Sequence, residues 1–270
     1  MSNLMKGKRG LIMGVANNHS IAWGIAKTLS EHGAELAFTY QGDAFGKRAK
    51  PLADSVGSDI LLPCDVEDID SVDAVFNTLK EKWGTIDFLV HAIGFSDKNE
   101  LAGKYADTSR ENFSRTMVIS CFSFTEITKR AAELMPDGGS IITLTYGGST
   151  KVMPNYNVMG VAKAALESSV RYLAADYGSQ NIRVNAISAG PVRTLAGSGV
   201  SDARLMFNFQ KRNSPLHRTV SLEEIGGTGL YLLSELSGGV TGEVHFVDSG
   251  YNIMSMPQLE ELKAQETSAD

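Results

Sequence analysis

Residues Tyr146–Lys163 read YGGSTKVMPNYNVMGVAK, and what flanks them decides the fold. Upstream, Ser140–Thr145 (SIITLT) is a short apolar run that ends in glycines, the pattern of a buried strand. Downstream, Asn155 through Ala175 is rich in Ala and Leu and carries a helical pattern. Tyr156 and Lys163 lie seven residues apart on that predicted helix. Seven steps of ~100° return to nearly the same face, about two turns further on. A phenol and an ammonium on one face, beside a strand end, form a proton-handling pair. The plainer alternative is a surface lysine and a half-buried tyrosine, and the pair alone does not choose between them.

Working outward, strand-like and helix-like segments alternate along the chain. Strands are predicted at Gly10–Gly14, Ala34–Tyr40, Ile60–Cys64, Ile86–Ala92, Ser140–Thr145, Ile182–Ser188 and Glu243–Asp248. Helices are predicted at Ile21–His32, Asp43–Val56, about Ser71–Trp83, Arg110–Leu134, Asn155–Ala175 and Leu222–Leu233, the last capped by Ser221. Strands separated by helices imply right-handed crossovers and a parallel sheet covered on both faces. The expectation is therefore α/β: a doubly wound, Rossmann-type sheet of about seven strands in a single domain. That domain is expected over residues 1–256, with an acidic, disordered tail over 257–270.

At 270 residues with 43% hydrophobic and 21% charged residues, the composition is that of an ordinary soluble globular protein. A net charge of −6 without a Lys/Arg run argues against nucleic acid as a partner. No apolar run approaches the ~20 residues of a membrane span, and the N-terminus lacks a signal-peptide pattern, which points to a cytoplasmic protein. Cys64 and Cys121 are too few for a disulfide framework, and the five histidines lack metal-ligand spacing, so no metal site is expected. No Gly-x-Ser-x-Gly elbow suggests a serine hydrolase.

Ligands of this architecture sit at strand carboxyl ends. After the first strand, Gly14 permits a tight turn, and the amides of Ser20 and Ile21 open the following helix, where a pyrophosphate fits. The usual G-x-G-x-x-G spacing is stretched here, so the signal alone is weak. The second strand ends at neutral Gln41, with Asp43 close by to repel a 2′-phosphate; this favours NADH or NAD over NADPH. Asp65, followed by Val66, can accept from an adenine amino group, and His91-Ala-Ile93-Gly94 is small enough for a cofactor to lie across it. Loops 94–107 and 190–215 break the rhythm. The second becomes a helix with Met206, Phe207 and Phe209, which either line an apolar pocket or simply pack, and is expected to form a lid.

Asp65-Val66, the Ala-Ile-Gly turn, the Tyr/Lys helix, Asn185-Ala-Ile-Ser-Ala-Gly-Pro191 and the closing Gly242-Glu-Val through Val-Asp-Ser-Gly250 resemble the short-chain dehydrogenase/reductase superfamily. Ordinary members carry Tyr-x-x-x-Lys and a Ser about thirteen residues before the Tyr. Here those positions hold Met159 and Tyr146. Tyr-x6-Lys, the S-I-A-W-G turn and P-N-Y-N-V-M-G resemble instead the divergent enoyl-acyl-carrier-protein reductases of bacterial type II fatty-acid synthesis, over about residues 5–256. The resemblance implies NADH-dependent reduction of a trans-2-enoyl thioester. Tyr156 would hydrogen-bond the enolate oxygen, Lys163 would bind the nicotinamide ribose, and Tyr146 would be a secondary catalytic or positioning group. It further implies cofactor contacts at Val192, Arg193, Thr194, Leu195 and Ala196, and Ser96 at the substrate's edge. The partners implied are acyl carrier protein and further copies of the chain in a homotetramer. Arg193, Arg204, Lys211 and Arg212 form either a basic landing face or scattered solvated charges.

Overall fold

Seven short aliphatic runs form seven strands: β1 (Arg9–Met13), β2 (Glu35–Tyr40), β3 (Ile60–Pro63), β4 (Phe88–His91), β5 (Gly139–Thr145), β6 (Ile182–Ala189) and β7 (Val244–Val247). The computed structural model of the chain describes residues 3–194, 202–260 and 262–263. The strands pair in parallel in the order β3-β2-β1-β4-β5-β6-β7. Neighbouring side chains of a strand face opposite sides. Leu11 and Met13 therefore enter one core and Ile12 the other. Helices α3 (Ile69–Trp83), α5 (Ser123–Glu133) and α6 (Asn157–Tyr177) close the first core with Phe76, Phe124 and Leu166. Helices α1 (Ile21–Glu31) and α8 (Leu222–Leu233) close the second with Ile25, Leu29 and Ile225. The remaining α-helices are α2 (Gly42–Ser55), α4 (Arg110–Met117) and α7 (Ala203–Asn213). Among the described residues no helix is long and apolar enough to cross a membrane.

The expected doubly wound sheet is present, and its strand order reverses between β1 and β4. Chain leaving β1 turns toward β2, and chain leaving β4 turns toward β5, so a crevice opens at their carboxyl ends. Two local expectations need correction. The single helix over 110–134 is interrupted: α4 gives way to a π-helical turn at Val118–Phe122 before α5 begins. The wider turn lets buried hydroxyls find partners off the helix. Ser120 Oγ accepts from Phe95 N at 2.9 Å and donates to Phe95 O at 3.0 Å. Such insertions favour functional sites.

The central helix starts at Asn157, not Asn155, because both asparagines have positive φ (56° and 33°). Asparagine tolerates that conformation better than most residues. Tyr156 is thus the residue just before the helix, not a member of it. At the far end, Gln258 N donates to Asn213 Oδ1 at 2.6 Å and Leu259–Glu260 are helical, so the expected tail begins docked; residues 264–270 lie outside the described residues.

The Ser221 cap is a full capping box: its hydroxyl accepts from Glu224 N at 3.2 Å, and Glu224 Oε2 accepts from Ser221 N at 2.9 Å. Both ends of the box satisfy amides that the helix itself leaves open. Replacing Ser221 with Ala should lower unfolding free energy by about 1 kcal/mol, read as a lower denaturant midpoint with an unchanged slope.

Candidate functional site

The turn after β1 requires glycine. Gly14 has φ 97°, and a β-carbon there would stand 2.1 Å from the Ala92 carbonyl oxygen. Ser20 occupies the N-cap of α1 but does not cap it. Its hydroxyl instead accepts from Ala16 N at 3.0 Å and Asn17 N at 3.1 Å, folding the turn back on itself. The first turn of α1 also carries no acidic residue. Backbone donors and positive partial charge at Ile21 therefore meet the crevice with no side-chain anion in the way, as a phosphate needs. At the β2 end Gln41 Nε2 donates to Asp65 Oδ2 at 3.0 Å, bringing together two side chains that stand apart in the sequence. Val66 beside them is buried. Past β4, Ile93 packs on the first core, and a β-carbon on Gly94 would lie 3.8 Å from Lys163 Nζ. These features fit a dinucleotide lying across the switch point.

The reactive side chains converge beside it. Lys163 is 8% exposed, and its Nζ donates to the Leu144 carbonyl at 2.8 Å, near the end of β5. Burial pulls the ammonium from its ordinary 10.5 down to about 8, against the opposing pull of Cys121 and Glu167. Tyr156 is half-buried under the loop after β5; a β-carbon on Gly148 would strike its ring at 2.5 Å. Burial raises its phenol well above the usual range, and the neighbouring Tyr146 and Glu167 add to that. A phenol so placed is a hydrogen-bond donor at any physiological pH. The Tyr146 ring meets the Tyr156 ring edge-on, centroids 5.3 Å apart. Its hydroxyl accepts from Gln210 Nε2 on α7 at 2.6 Å. Tyr146 therefore links the reactive tyrosine to the expected lid helix.

Behind the pair, His91 is fully buried between Thr143 Oγ1 (3.1 Å) and Ser123 Oγ (3.0 Å). Burial, then the Lys163 charge, pull its imidazole down to about 3, so it stays neutral. Ser96, at the edge of the crevice, donates to Asn112 Oδ1 at 3.3 Å and accepts from Thr116 Oγ1 at 2.9 Å. Beyond β6, Val192 packs on the second core, Thr194 N donates to Val192 O at 2.8 Å, and the Arg193 guanidinium lies 5.2 Å over the Phe207 ring. Leu195 and Ala196 lie outside the described residues. Among the described residues no three His, Cys, Asp or Glu side chains are grouped to hold a metal. Gln210, Ser120 and Glu167 join the site without having been expected there from sequence. Glu167 alone leaves a signal in the sequence: an acid one turn after Lys163, on the face that must be buried.

A reversing parallel sheet, a phosphate-sized turn at its switch point and a tyrosine–lysine pair beside it define a dinucleotide-dependent reductase of the short-chain type. The family model described as Enoyl-(Acyl carrier protein) reductase matches residues 14–252. The chain is 76% identical over 263 residues to Enoyl-[acyl-carrier-protein] reductase [NADH] 2 of Rhizobium meliloti (strain 1021), covering 97% of this chain and 98% of that relative. It matches the structure of FabI from Candidatus Liberibacter asiaticus with TM-score 0.94 at 66% identity, covering 96% of this chain and all (100%) of that one. A reductase from Anaplasma phagocytophilum, in complex with NAD, superposes with TM-score 0.93 at 57% identity, covering 96% of this chain and 99% of that one. The chain belongs to the enoyl-[acyl-carrier-protein] reductase family.

A buried ammonium with a lowered pKa opposes folding while it is charged. Relative to wild type, Lys163→Met should therefore be more favoured at pH ~7 than at pH ~10, read as a difference in melting temperature that changes with pH, while activity is lost. The sign follows from protonation. As pH rises through about 8 the native lysine loses its proton while the unfolded one, near 10.5, keeps it. The wild-type chain then gains on the variant, and the difference should move in its favour toward the upper value. Melting curves across that range check it, and a gap constant with pH would contradict it.

Proposed function

We propose that the chain is an NADH-dependent enoyl-[acyl-carrier-protein] reductase that reduces the C2–C3 double bond of trans-2-enoyl thioesters. The observation that carries the reading is the position of Tyr156. It sits just before α6, seven residues ahead of Lys163, while Met159 takes the place one turn nearer. A ketone reductase must protonate an oxygen on the very carbon that receives hydride. In an enoyl thioester the charge develops on an oxygen further away, and a donor shifted upstream along the helix meets it there.

When bound, the reduced nicotinamide supplies the hydride, which goes to C3. Tyr156 donates its phenolic hydrogen bond to the thioester oxygen as negative charge builds there, and C2 is protonated afterwards. Lys163 binds the nicotinamide ribose hydroxyls and offsets the developing charge from a dry position, where charge acts over longer range than in water. Tyr146, tethered by Gln210, positions the Tyr156 ring. Ser96, held by Asn112 and Thr116, edges the substrate. Gly14, Ser20 and Ile21 would hold the pyrophosphate, and Ile93 would contact the cofactor. Gln41, Asp65 and Val66 take the adenosine end. Val192, Arg193 and Thr194 would contact the nicotinamide and pyrophosphate; the same role proposed for Leu195 and Ala196 falls outside the described residues.

The acyl carrier protein docks on the basic residues about α7, Arg193, Arg204, Lys211 and Arg212, by this reading. The chain works in the cytoplasm as a homotetramer. Two features support self-association. Phe122 and Tyr172 on the α5–α6 side are 51% and 73% exposed. An open groove of about 580 Å³ also runs along β7 and α8 past Leu216, Tyr231 and Phe246.

NADH absorbance should fall on adding a crotonyl or longer enoyl thioester and stay constant with simple ketones. Tyr156→Phe should lower kcat by about 10². Turnover of ketones alone would favour a carbonyl reductase. With Asp43 rather than a base beside Gln41, NADPH should bind at least ~10-fold more weakly than NADH, read by titrating both side by side.

A further inference from the structure

Glu167 is a buried acid that the hydride and proton steps do not use. It is 7% exposed and lies one turn beyond Lys163 on α6. Its Oε1 accepts from Thr145 Oγ1 at 2.7 Å. Thr145 directly follows Leu144, whose carbonyl receives Lys163 Nζ. Carboxylate and ammonium are thus pinned to consecutive residues at the end of β5. Among the described residues no lysine or arginine pairs with Glu167 within 4.0 Å. An isolated carboxylate in such a place is costly unless it offsets a nearby charge.

We propose that Glu167 is a positioning residue of the reduction, a buried carboxylate that keeps Lys163 in its charged, hydrogen-bonding form and sets its reach through Thr145. This rests on the enoyl-reductase reading. The titratable groups that act on Lys163 come from three neighbouring elements. His91 stands on β4 and is neutral, Cys121 on the π-helical turn, and Glu167 on α6 itself. Cys121 is a thiol raised by its own burial, so it is uncharged near neutrality. Glu167 is then the one carboxylate among these neighbours. Burial opposes the ammonium and Glu167 supports it; the same carboxylate also raises the Tyr156 phenol, behind burial and Tyr146. One acid thereby favours the protonated form of both working groups, the state each needs before substrate arrives.

The test compares wild type, Glu167→Gln and Thr145→Val in two readouts across pH: kcat/KM with a crotonyl thioester, and the NADH dissociation constant by nucleotide fluorescence. Wild-type values should worsen as pH rises through about 8. In Glu167→Gln that limb should move down by about one unit, giving a loss of about fivefold at pH ~8 and under about 1.5-fold at pH ~6. Thr145→Val, which frees the carboxylate from its anchor, should shift the limb the same way by less. A limb that stays in place in both variants, or a loss equal at every pH, overturns the assignment. If wild type turns over no enoyl thioester yet the limb of NADH binding moves, the reaction is misread and the role of Glu167 toward Lys163 survives. Enoyl turnover with an unmoved limb instead upholds the reaction and removes that role.

Discussion

A single charge kept out of water governs the arrangement of this molecule. Lys163 is buried at the carboxyl edge of the sheet, hydrogen-bonded to the end of β5, and its ammonium is held at about 8 by that burial. Desolvation of a lone ammonium is unfavourable, so its surroundings must be polar without filling the crevice. Gly94 lies close by, Leu144 gives it a carbonyl, and Glu167 gives it an opposite charge. His91, buried alongside, stays neutral and adds no second positive charge. Each of these residues is ordinary alone. Their shared location at the ends of β4, β5 and α6 makes a site.

Rigid elements hold the softer parts of that site. Asn112, Thr116 and Ser120 follow one another at four-residue spacing along α4 and the π-helical turn, all buried. Asn112 accepts from Asp97 N at 3.0 Å, Thr116 donates to Ser96 Oγ at 2.9 Å, and Ser120 brackets Phe95. This polar row fastens the chain leaving β4 without any regular structure in that segment. Without the extra residue of the π-helical turn, the row would rotate out of line with the loop. On the other side, close contacts between glycine-bearing helices set the turn after β1. A β-carbon on Gly24 would meet Leu222 at 2.9 Å, and one on Gly226 would meet Thr28 Oγ1 at 2.3 Å. α1 therefore lies tight on α8, and its N-terminus is aimed at the crevice.

Much of this is legible in the chain itself. Seven apolar runs, Ser221 ahead of Glu224, and glycines after strand ends specify strands, a cap and turns through local physics. The alternation of strand and helix then leaves few topologies. Tyr156 and Lys163 stand out by their seven-residue spacing, and Gly14, Gln41 and Asp65 by falling just past strand ends, where ligands sit in this architecture. Less legible is whatever depends on contacts across the fold. The π-helical turn at Val118–Phe122 has no periodicity signal, since it answers to Phe95, far off in sequence. The late start of α6 rests on two asparagines whose left-handed conformation only the packed loop makes necessary. The Tyr146–Gln210 bond joins residues 64 positions apart, and nothing local predicts it.

How strongly the interior acts on the Lys163 ammonium decides whether this picture holds, and that can be read directly. With isotopically labelled lysine, the side-chain resonance of Lys163 in the free protein can be followed by NMR against pH and assigned by its absence in a variant. The expected transition is centred near 8, displaced from the ordinary lysine value of 10.5. A transition at the ordinary value would contradict it, because the ammonium would then be solvated and the site would not be organised around a buried charge.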